Sequence, residues 1–265
     1  MILDQQKIGF IGFGNMAQAI AKGWLDSGKV STNQLYASAR NQERLKENTE
    51  RLGITAIKSN QELVETVDIV IVAVKSYQIK ELFEPLKEIL KDKIIVSLAV
   101  NMLCGDFEEI LLEGTQHLST LPNTPVTIRE GIVLFEEQHT LTPKVLNLIT
   151  KLFKLLGHVE EIPTEQMGIA GLISGSAPAF VDLFIEALGD AAVKHGLDRQ
   201  TAYKLISQMI SGTGKLQLET GKHPGELKDA ITSPGGTTIK GISALEKNNF
   251  RGAIIEAVDS ILSGS

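Results

Sequence analysis

The chain has 265 residues, of which 43% are apolar and 22% charged, and a formal net charge of −6. This composition indicates a globular protein, long enough for one large domain or two ordinary ones. The acidic balance argues against a nucleic-acid-binding surface, and the single cysteine, Cys104, leaves no intramolecular disulfide and suits a reducing compartment. Residues 1–6 are short and polar rather than leader-like, and the uncharged stretch 167–181 is too short and too polar to span a bilayer. We therefore expect a cytoplasmic protein with no membrane partner.

Short β-branched runs alternate with helix-like stretches through the first part of the chain. The predicted strands are Ile8–Ile11, Leu35–Ala37, Ile54–Ile57, Ile69–Val74, Ile94–Val100 and Ile132–Phe135. The predicted helices include Gln42–Leu52, Gln61–Val67 with Asn60 as its cap, Ile79–Leu90, and one that begins after Thr142. This alternation predicts right-handed βαβ crossovers and a mostly parallel sheet.

The last hundred residues show helical spacing alone. Residues 183–192 form a broad apolar stripe, Asp198 is placed to cap a helix that runs to about Leu218, and Pro224 can open another. The prediction is an α/β protein with two domains: a dinucleotide-binding, doubly wound domain at 1–162 and an all-α domain at 163–265.

The first motif is a strand followed by Gly-x-Gly-x-x-Ala in "KIGFIGFGNMAQAI". Gly12 permits a tight turn, Gly14 lets a pyrophosphate approach the backbone, and Ala17 lets the next helix pack against the strand. The helix N-terminus supplies unpaired amides for the phosphates. Because this motif follows an apolar strand and opens a helix, it predicts dinucleotide binding rather than a merely structural turn.

The end of the second strand indicates which dinucleotide binds. It reads "LYASARNQ", with Ser38 and Arg40 and no acidic residue for ribose hydroxyls. A hydroxyl and a guanidinium suit a 2′-phosphate, so NADPH is favoured, with NADH as the alternative; Arg40 is otherwise a solvated charge. The nicotinamide is expected at the ends of later strands, 73–78 and 97–102, where Lys75 is either a cofactor contact or an exposed loop residue.

Two small-residue motifs interrupt the helical part of the chain. In "SGSAP", Pro178 removes a helical hydrogen bond, so the chain either kinks or restarts with Ser176 as cap, and the motif is either a packed kink or the floor of a ligand site. In "TSPGGTT", Gly235 and Gly236 precede a helix that Thr237 or Thr238 can cap. Amides and hydroxyls at a helix N-terminus form a carboxylate or phosphate site, and the alternative is a plain helix cap.

Taken together, these motifs resemble the pyrroline-5-carboxylate reductase family from about Lys7 to Ala257. The landmarks are "IGFIGFGNMAQAI", "AVK", "PNTP", "SGSAPAF", "EALGDAAVKHGL", "HPGELKD" and "SPGGTTI". The last three blocks, in this order and spacing, are far more specific than the glycine turn.

The resemblance implies NAD(P)H-dependent reduction of Δ1-pyrroline-5-carboxylate, a cyclic imine, to L-proline, the last step of proline biosynthesis. It implies a homodimer through the helical domain, with further assembly into larger rings. The cofactor residues that it implies are Ile11, Gly12, Phe13, Gly14, Asn15, Met16, Ala17, Ser38, Arg40, Asn60, Ala73, Val74, Lys75 and Ala99. The substrate residues that it implies are Ser176, Ser233, Gly236, Thr237 and Thr238, with the Thr238 hydroxyl facing the ring nitrogen as the catalytic group.

Three positions depart from the family pattern and leave substrate range open. Ala177 and Phe180 stand where glycine and tyrosine are usual, and Asn101 stands where glycine is commoner.

Other functions stay open. A β-hydroxyacid dehydrogenase would need a catalytic lysine that "EQMGIAGLISGSAPAF" lacks. A reductase of a different cyclic imine and a non-catalytic nucleotide-binding paralogue are the further alternatives. No metal site is expected, because the five histidines are scattered.

Overall fold

The computed structural model describes residues 5–263 and divides the chain into two compact units. The first unit ends at Gly175 and the second begins at Ser176. The first is an α/β structure and the second contains only helices. The two-domain class predicted from the sequence, a Rossmann-type sheet followed by an all-α region, is confirmed.

Eight strands form one sheet in the first unit, in the order β3-β2-β1-β4-β5-β6-β7-β8. All neighbours are parallel except β6 and β7, which are antiparallel. Their bounds are β1 Ile8–Ile11, β2 Leu35–Ser38, β3 Thr55–Ala56, β4 Ile69–Val72, β5 Ile94–Ser97, β6 Gln116–Pro122, β7 Gly131–Glu136 and β8 Gly157–Ile162. The order changes direction at β1 and β4, where ligands bind in doubly wound sheets.

Helices cover both faces of this sheet, which is why β1, β4 and β5 are buried throughout and apolar except for Ser97 at the end of β5. On one face Trp24 packs edge-on against Phe153, and its indole N–H donates to the carbonyl of Leu152 at 3.0 Å. The helices of this unit are α1 Asn15–Asp26, α2 Gln42–Leu52, α3 Asn60–Thr66, α4 Ser76–Phe83, α5 Lys87–Leu90, α6 Cys104–Ile110, α7 Pro143–Lys154 and α8 Met167–Gly171.

The sequence patterns missed two strands, β6 and β8. β8 reads "GHVEEI" at the sheet edge and is largely exposed, so it has no apolar run to mark it. β6 reads "QHLSTLP", in which the apolar residues form neither an alternating pattern nor a continuous run, and it includes a buried histidine and a buried serine. Pairing with neighbouring strands, rather than local composition, therefore determines both elements.

One predicted helix cap was wrong, and one of the two alternatives for the "SGSAP" segment is excluded. Ser59, not Asn60, caps α3, since its hydroxyl accepts the N–H of Glu62 at 3.1 Å. Ser176 does not cap a new helix, because a π-helical turn, Leu172–Ser176, joins α8 to the helix that begins at Pro178.

The second unit consists of five helices among its described residues, α9 Pro178–Lys194, α10 Arg199–Thr220, α11 Pro224–Ala230, α12 Thr237–Lys247 and α13 Phe250–Leu262. Asp198 caps α10 as predicted, with its carboxylate accepting the N–H of Thr201 at 2.9 Å. Of the residues described in this unit, only Gly189 and Ala202 are buried.

One helical run, Thr164–Lys194, is long and apolar enough to cross a membrane by length and composition, with a mean hydropathy of 1.6 in its most apolar window. Only 11% of that window is buried within the chain. The sequence prediction, made for residues 167–181 alone, did not detect this longer run. Most of the apolar side chains in this window are therefore not buried within the chain.

Candidate active site

The glycine turn lies where the ends of β1, β2 and β4 meet. The N–H of Gly12 donates to the carbonyl of Ser38 at 2.9 Å, and Gly12 has φ of +87°. A Cβ at this position would lie 2.7 Å from the carbonyl oxygen of Ala73, so only glycine fits there. A Cβ on Gly14, by contrast, would have no neighbouring atom within 4 Å, so this glycine is open to a ligand.

Two adjoining cavities share Gly14, Val74 and Gln78 among their lining residues. The larger has a volume of about 1120 Å³ and extends past β2 and β3, and the smaller, of about 520 Å³, extends past β4 and β5. They meet at the start of α1, whose first amides have no partner within the helix. Together they form a groove with an anion-binding point at its middle, as a dinucleotide requires. We call it the cofactor groove.

Most of the predicted cofactor residues line this groove. Those on the larger cavity are Ile11, Gly12, Gly14, Arg40, Asn60 and Val74. Those on the smaller one are Gly14, Asn15, Met16, Ala17, Ala73, Val74, Lys75 and Ala99. Two predicted residues do not line it, since Phe13 packs its ring 5.6 Å from that of Phe10 and Ser38 is buried.

Ser38 contacts the groove through a neighbour. Its hydroxyl donates to Oδ1 of Asn60 at 2.7 Å. This bond leaves the Nδ2 group of Asn60, which lines the groove, as the group free to donate to a ligand. Ser38, which the sequence predicted as a direct cofactor contact, is thus placed to orient Asn60.

Three cationic side chains line the larger cavity: Arg40, Arg44 and Lys58. None of the ion pairs recorded between described residues involves them. Glu81 is the acidic residue on the same lining. An otherwise acidic protein therefore concentrates unpaired positive charge at the β2–β3 end of the groove, which favours a phosphate.

Sequence reasoning missed Arg44 and Lys58, although a signal existed. Lys58 follows β3, a parallel neighbour of β2, so it reaches the same sheet edge as Arg40. Arg44 lies in the first turn of α2, where the helix dipole disfavours a cation. Tyr77 and Gln78 of α4, which also line the groove, carried no recognisable signal.

The second unit contains the substrate loop, defined here as Ser233–Thr238. Gly235 has φ of +68°, so the turn requires glycine at this position. A Cβ on Gly236 would lie 3.1 Å from the carbonyl oxygen of Ser233 and would force the Ser233 hydroxyl to move. The predicted threonine cap is absent, because α12 begins at Thr237 with Gly236 in the capping position and no side-chain cap. The first-turn amides therefore keep their donors for another partner, and the Thr237 and Thr238 hydroxyls are exposed beside them.

Ser176 ends the π-helical turn and is exposed. No hydrogen bond recorded between described residues joins it to the substrate loop. The structure therefore brings the cofactor residues together, and separately the loop residues, without linking Ser176 to the latter.

The backbone conformation of Asn101 explains why an asparagine can stand where the family more often has glycine. It has φ of +60°, in the left-handed region where glycine is favoured and asparagine is tolerated. The unusual residue therefore keeps the backbone conformation that a glycine would adopt.

The single cysteine is not a nucleophile. Cys104 is buried, and burial, followed by the nearby carboxylates of Glu108 and Glu136, raises the pKa of its thiol to about 11. A neutral thiol is a poor nucleophile. Over residues 5–263, no group of three or more His, Cys, Asp or Glu side chains is arranged to hold a metal ion.

Comparisons with known proteins match both parts of the chain. Residues 164–265 match the family model described as pyrroline-5-carboxylate reductase dimerisation, and residues 7–101 match the model described as NADP oxidoreductase, coenzyme F420-dependent. The pyrroline-5-carboxylate reductase of Treponema pallidum is 40% identical over 262 residues, which is 97% of this chain and 99% of the relative. That of Escherichia coli is 37% identical over 262 residues, covering 98% and 97%.

A solved structure agrees with these relatives. The crystal structure of Plasmodium falciparum pyrroline carboxylate reductase with NADP bound superimposes with a TM-score of 0.86 at 30% identity, covering 97% of this chain and 95% of that one. The family resemblance and the nicotinamide cofactor class predicted from the sequence are confirmed. This chain belongs to the pyrroline-5-carboxylate reductase family.

Proposed function

We propose that this protein is an oxidoreductase that reduces Δ1-pyrroline-5-carboxylate to L-proline with NADPH, the last step of proline biosynthesis. The observation that carries the proposal is the substrate loop, a helix start without a side-chain cap in which Gly236 packs closely on Ser233. Such a site suits a small anion, and the substrate is a small cyclic imine with a carboxylate. Family membership supports the same reaction.

The cofactor groove fits a dinucleotide. The open face of Gly14 and the amides of Asn15, Met16 and Ala17 would hold the pyrophosphate. We propose that the neighbouring lining residues fix its two halves. They are Ile11, Gly12 and Asn60 towards the adenosine, and Ala73, Val74, Lys75 and Ala99 towards the nicotinamide, whereas Phe13 would contribute only through the backbone of the glycine turn.

The charge at the β2–β3 end favours NADPH over NADH. Arg40, Arg44 and Lys58 would bind the extra phosphate, and Ser38 would act by orienting Asn60. A cation in the first turn of α2 opposes the helix dipole, so a bound phosphate offsets the cost of placing Arg44 there.

The substrate loop would hold the carboxylate of the imine. The amides of Thr237 and Thr238 point out of the start of α12, while Ser233 and Thr237 offer hydroxyls. Backbone amides suit a small anion because side chains would crowd it. We propose that Ser176 contributes to the floor of the same site.

The reaction transfers hydride to the imine carbon, which is C2 of Δ1-pyrroline-5-carboxylate and becomes C5 of proline, and leaves a proton on nitrogen. NADPH supplies the hydride, so the protein holds the reactants in line and stabilises charge. The substrate loop has no His, Lys or Cys. An imine that arrives protonated needs only a hydroxyl oxygen to accept its N–H. We propose that the Thr238 hydroxyl accepts this hydrogen bond, or donates to the nitrogen of the neutral imine and relays the proton.

We further propose that the chain acts as a homodimer in the cytoplasm. The match of residues 164–265 to a dimerisation model and the exposed apolar helices of the second unit support self-association. A partner that covers these helices would also account for the apolar run Thr164–Lys194 without a membrane. We place the boundary between the two functional domains at 162/163. We also propose that dimers assemble into larger rings, which light scattering would detect.

The test is the loss of NADPH absorbance when Δ1-pyrroline-5-carboxylate is added to the purified protein. Proline should appear in equal amount. 1-Pyrroline, which lacks the carboxylate, should react with kcat/KM about 100-fold lower, since a charged hydrogen-bonded group is missing. Equal rates with both compounds would contradict a carboxylate site in the loop.

A six-membered ring tests the other reductase function. The homologue with one more ring methylene, Δ1-piperidine-6-carboxylate, keeps the carboxylate on the saturated carbon next to nitrogen but enlarges the ring. A higher kcat/KM for this compound would favour a different cyclic imine, and no oxidation of NADPH with any imine would favour a non-catalytic nucleotide-binding protein.

A further inference from the structure

Asn123 follows β6 directly, and every polar group it carries has an identified partner. It is 6% exposed. Its backbone N–H donates to the carbonyl of Ile132 at 3.1 Å, and its own carbonyl accepts the N–H of Val126 at 3.3 Å. Its side-chain Oδ1 accepts the N–H of Ile132 at 2.8 Å, so the side chain takes the place of a backbone carbonyl and extends the β6–β7 ladder by one residue pair. This arrangement fixes the direction of the remaining group, Nδ2.

The Nδ2 group of Asn123 donates to the carbonyl of Ser174 at 3.0 Å. Ser174 belongs to the π-helical turn Leu172–Ser176, and Pro178 follows it by four residues. In a regular helix the Ser174 carbonyl would accept the N–H of residue 178, but proline has none. Asn123 thus supplies the donor that Pro178 lacks.

Two further contacts hold the same turn. A Cβ on Gly171 would lie 2.8 Å from Cδ1 of Leu121, so the chain before the turn packs closely on the end of β6. The hydroxyl of Ser174 donates to the carbonyl of Ala170 at 2.9 Å. Two contacts therefore fix the turn against the sheet: Gly171 packs on Leu121, and the buried side chain of Asn123 bonds the carbonyl of Ser174.

We propose that Asn123 is a positioning residue for the reaction, which holds the π-helical turn so that Ser176 is presented to the substrate. Single-turn π-bulges in helices occur frequently at functional sites, since they redirect side chains at a cost in helix stability. The hydrogen bond from Asn123 keeps the turn in one conformation. This inference rests on the proposed function for its link to the reaction, but not for its geometry.

Asn123→Asp is the informative variant. The aspartate keeps an oxygen that accepts the N–H of Ile132, but it has no N–H to donate to the carbonyl of Ser174. Its negative oxygen would instead face the partly negative oxygen of that carbonyl. We expect kcat/KM for Δ1-pyrroline-5-carboxylate to fall about tenfold, as loss of one buried hydrogen bond predicts. The Kd for NADPH should stay within about twofold, because Asn123 does not line the cofactor groove. Asn147→Asp, which adds the same charge at an exposed position on α7, is the control.

Pro178→Ala supplies the rescue. Alanine restores an N–H at residue 178 that can donate to the Ser174 carbonyl, so the turn no longer needs Asn123. We expect the double variant, Asn123→Asp with Pro178→Ala, to recover at least half of the lost kcat/KM. A double variant no more active than Asn123→Asp would overturn the pairing of Asn123 with the carbonyl that Pro178 leaves free.

Hydrogen exchange separates this inference from the proposed function. The amides of residues 170–180 should exchange about tenfold faster in Asn123→Asp than in the wild type, while those of β1 and α1 keep their rates. Unchanged exchange in that segment overturns the inference even if the enzyme reduces the imine. Faster exchange with unchanged kinetics overturns the link to the reaction. A wild-type protein inactive on all imines would instead refute the proposed function, and exchange would still report on the turn.

Discussion

The two units of this protein differ in where their large apolar residues lie. In the first, two layers of apolar side chains pack on opposite faces of the sheet and are fully buried. In the second, Leu183, Leu205 and Ile255 are 66%, 59% and 61% exposed, on three different helices. The first unit has a core of its own, whereas the second leaves large apolar side chains exposed, as interaction surfaces do.

This difference separates two kinds of site. The cofactor groove lies at the edge of a buried sheet, and rigid packing fixes its glycines and cations. The substrate loop joins two helices that have few buried residues. Its conformation should therefore depend on a partner that packs against those helices. Substitutions that change charge should therefore alter only ligand binding nearby in the first unit, and should alter self-association in the second.

The largest expected effect comes from charging the exposed face. Leu183→Glu would bury a carboxylate in a dimer interface at a cost of several kcal/mol, roughly 2–7 for an uncompensated polar group. We expect light scattering to show monomers or aggregates and kcat/KM to fall at least about 100-fold. Ile128→Glu, at 67% exposure in the first unit, is the matched control and should stay assembled and active. A fully active, dimeric Leu183→Glu would contradict the comparison.

The next effect separates turnover from cofactor binding. Thr238→Ala should lower kcat about 100-fold, the scale of one lost transition-state donor, and leave the NADPH Kd nearly unchanged. Thr213→Ala removes an exposed hydroxyl that bonds only within its own helix and should be neutral. Unchanged steady-state kinetics in Thr238→Ala would remove that hydroxyl from the mechanism.

A smaller effect tests the charge in the first unit. Arg40→Ala and Lys58→Ala should each raise the NADPH Kd about tenfold, since a partly exposed cation–phosphate bond is worth about 1–2 kcal/mol. The NADH Kd should hardly change. Lys46→Ala, on α2 but outside the groove, is the control, and binding is measured by fluorescence titration. Equal losses for both nucleotides would argue against a 2′-phosphate site.

The smallest effect concerns the core of the first unit. Burial lowers the pKa of His117, so below about pH 6.5 the unfolded chain binds a proton that the folded chain does not. The free energy of unfolding should therefore decrease as the pH falls from 7 to 5. His117→Phe, which keeps the ring contact with Phe107, should lessen that decrease in urea titrations, whereas His195→Phe in the second unit should not.

Local patterns predicted most of the first unit. Buried parallel strands such as Ile69–Val72 need apolar residues on both faces, so their sequences identify them. The edge strand β8 and the mixed strand β6 were missed because their neighbours stabilise them. The caps predicted at Asn60 and at Thr237 or Thr238 were wrong for a related reason, since several polar side chains stand near those helix starts and only the folded backbone decides which of them, if any, is used.

The site was predicted to a similar extent. Gly12, Gly14 and Arg40 were identifiable because steric freedom and charge are properties of the residue itself. Lys58 was not, because only strand pairing brings it beside Arg40. Ser38 and Asn123 show the same limit, since each acts through one hydrogen bond to a residue distant in sequence.

The sequence alone determined the two-part architecture and the dinucleotide turn, and it predicted a small-anion site at the start of α12 with a plain helix cap as the alternative. These follow from backbone freedom, hydrophobic period and charge, which short segments express by themselves. The tertiary structure decided which cations share the groove, which serine orients Asn60 and which asparagine holds the π-helical turn. Such contacts depend on strand order and register, because they join residues that only the folded sheet brings within hydrogen-bonding distance.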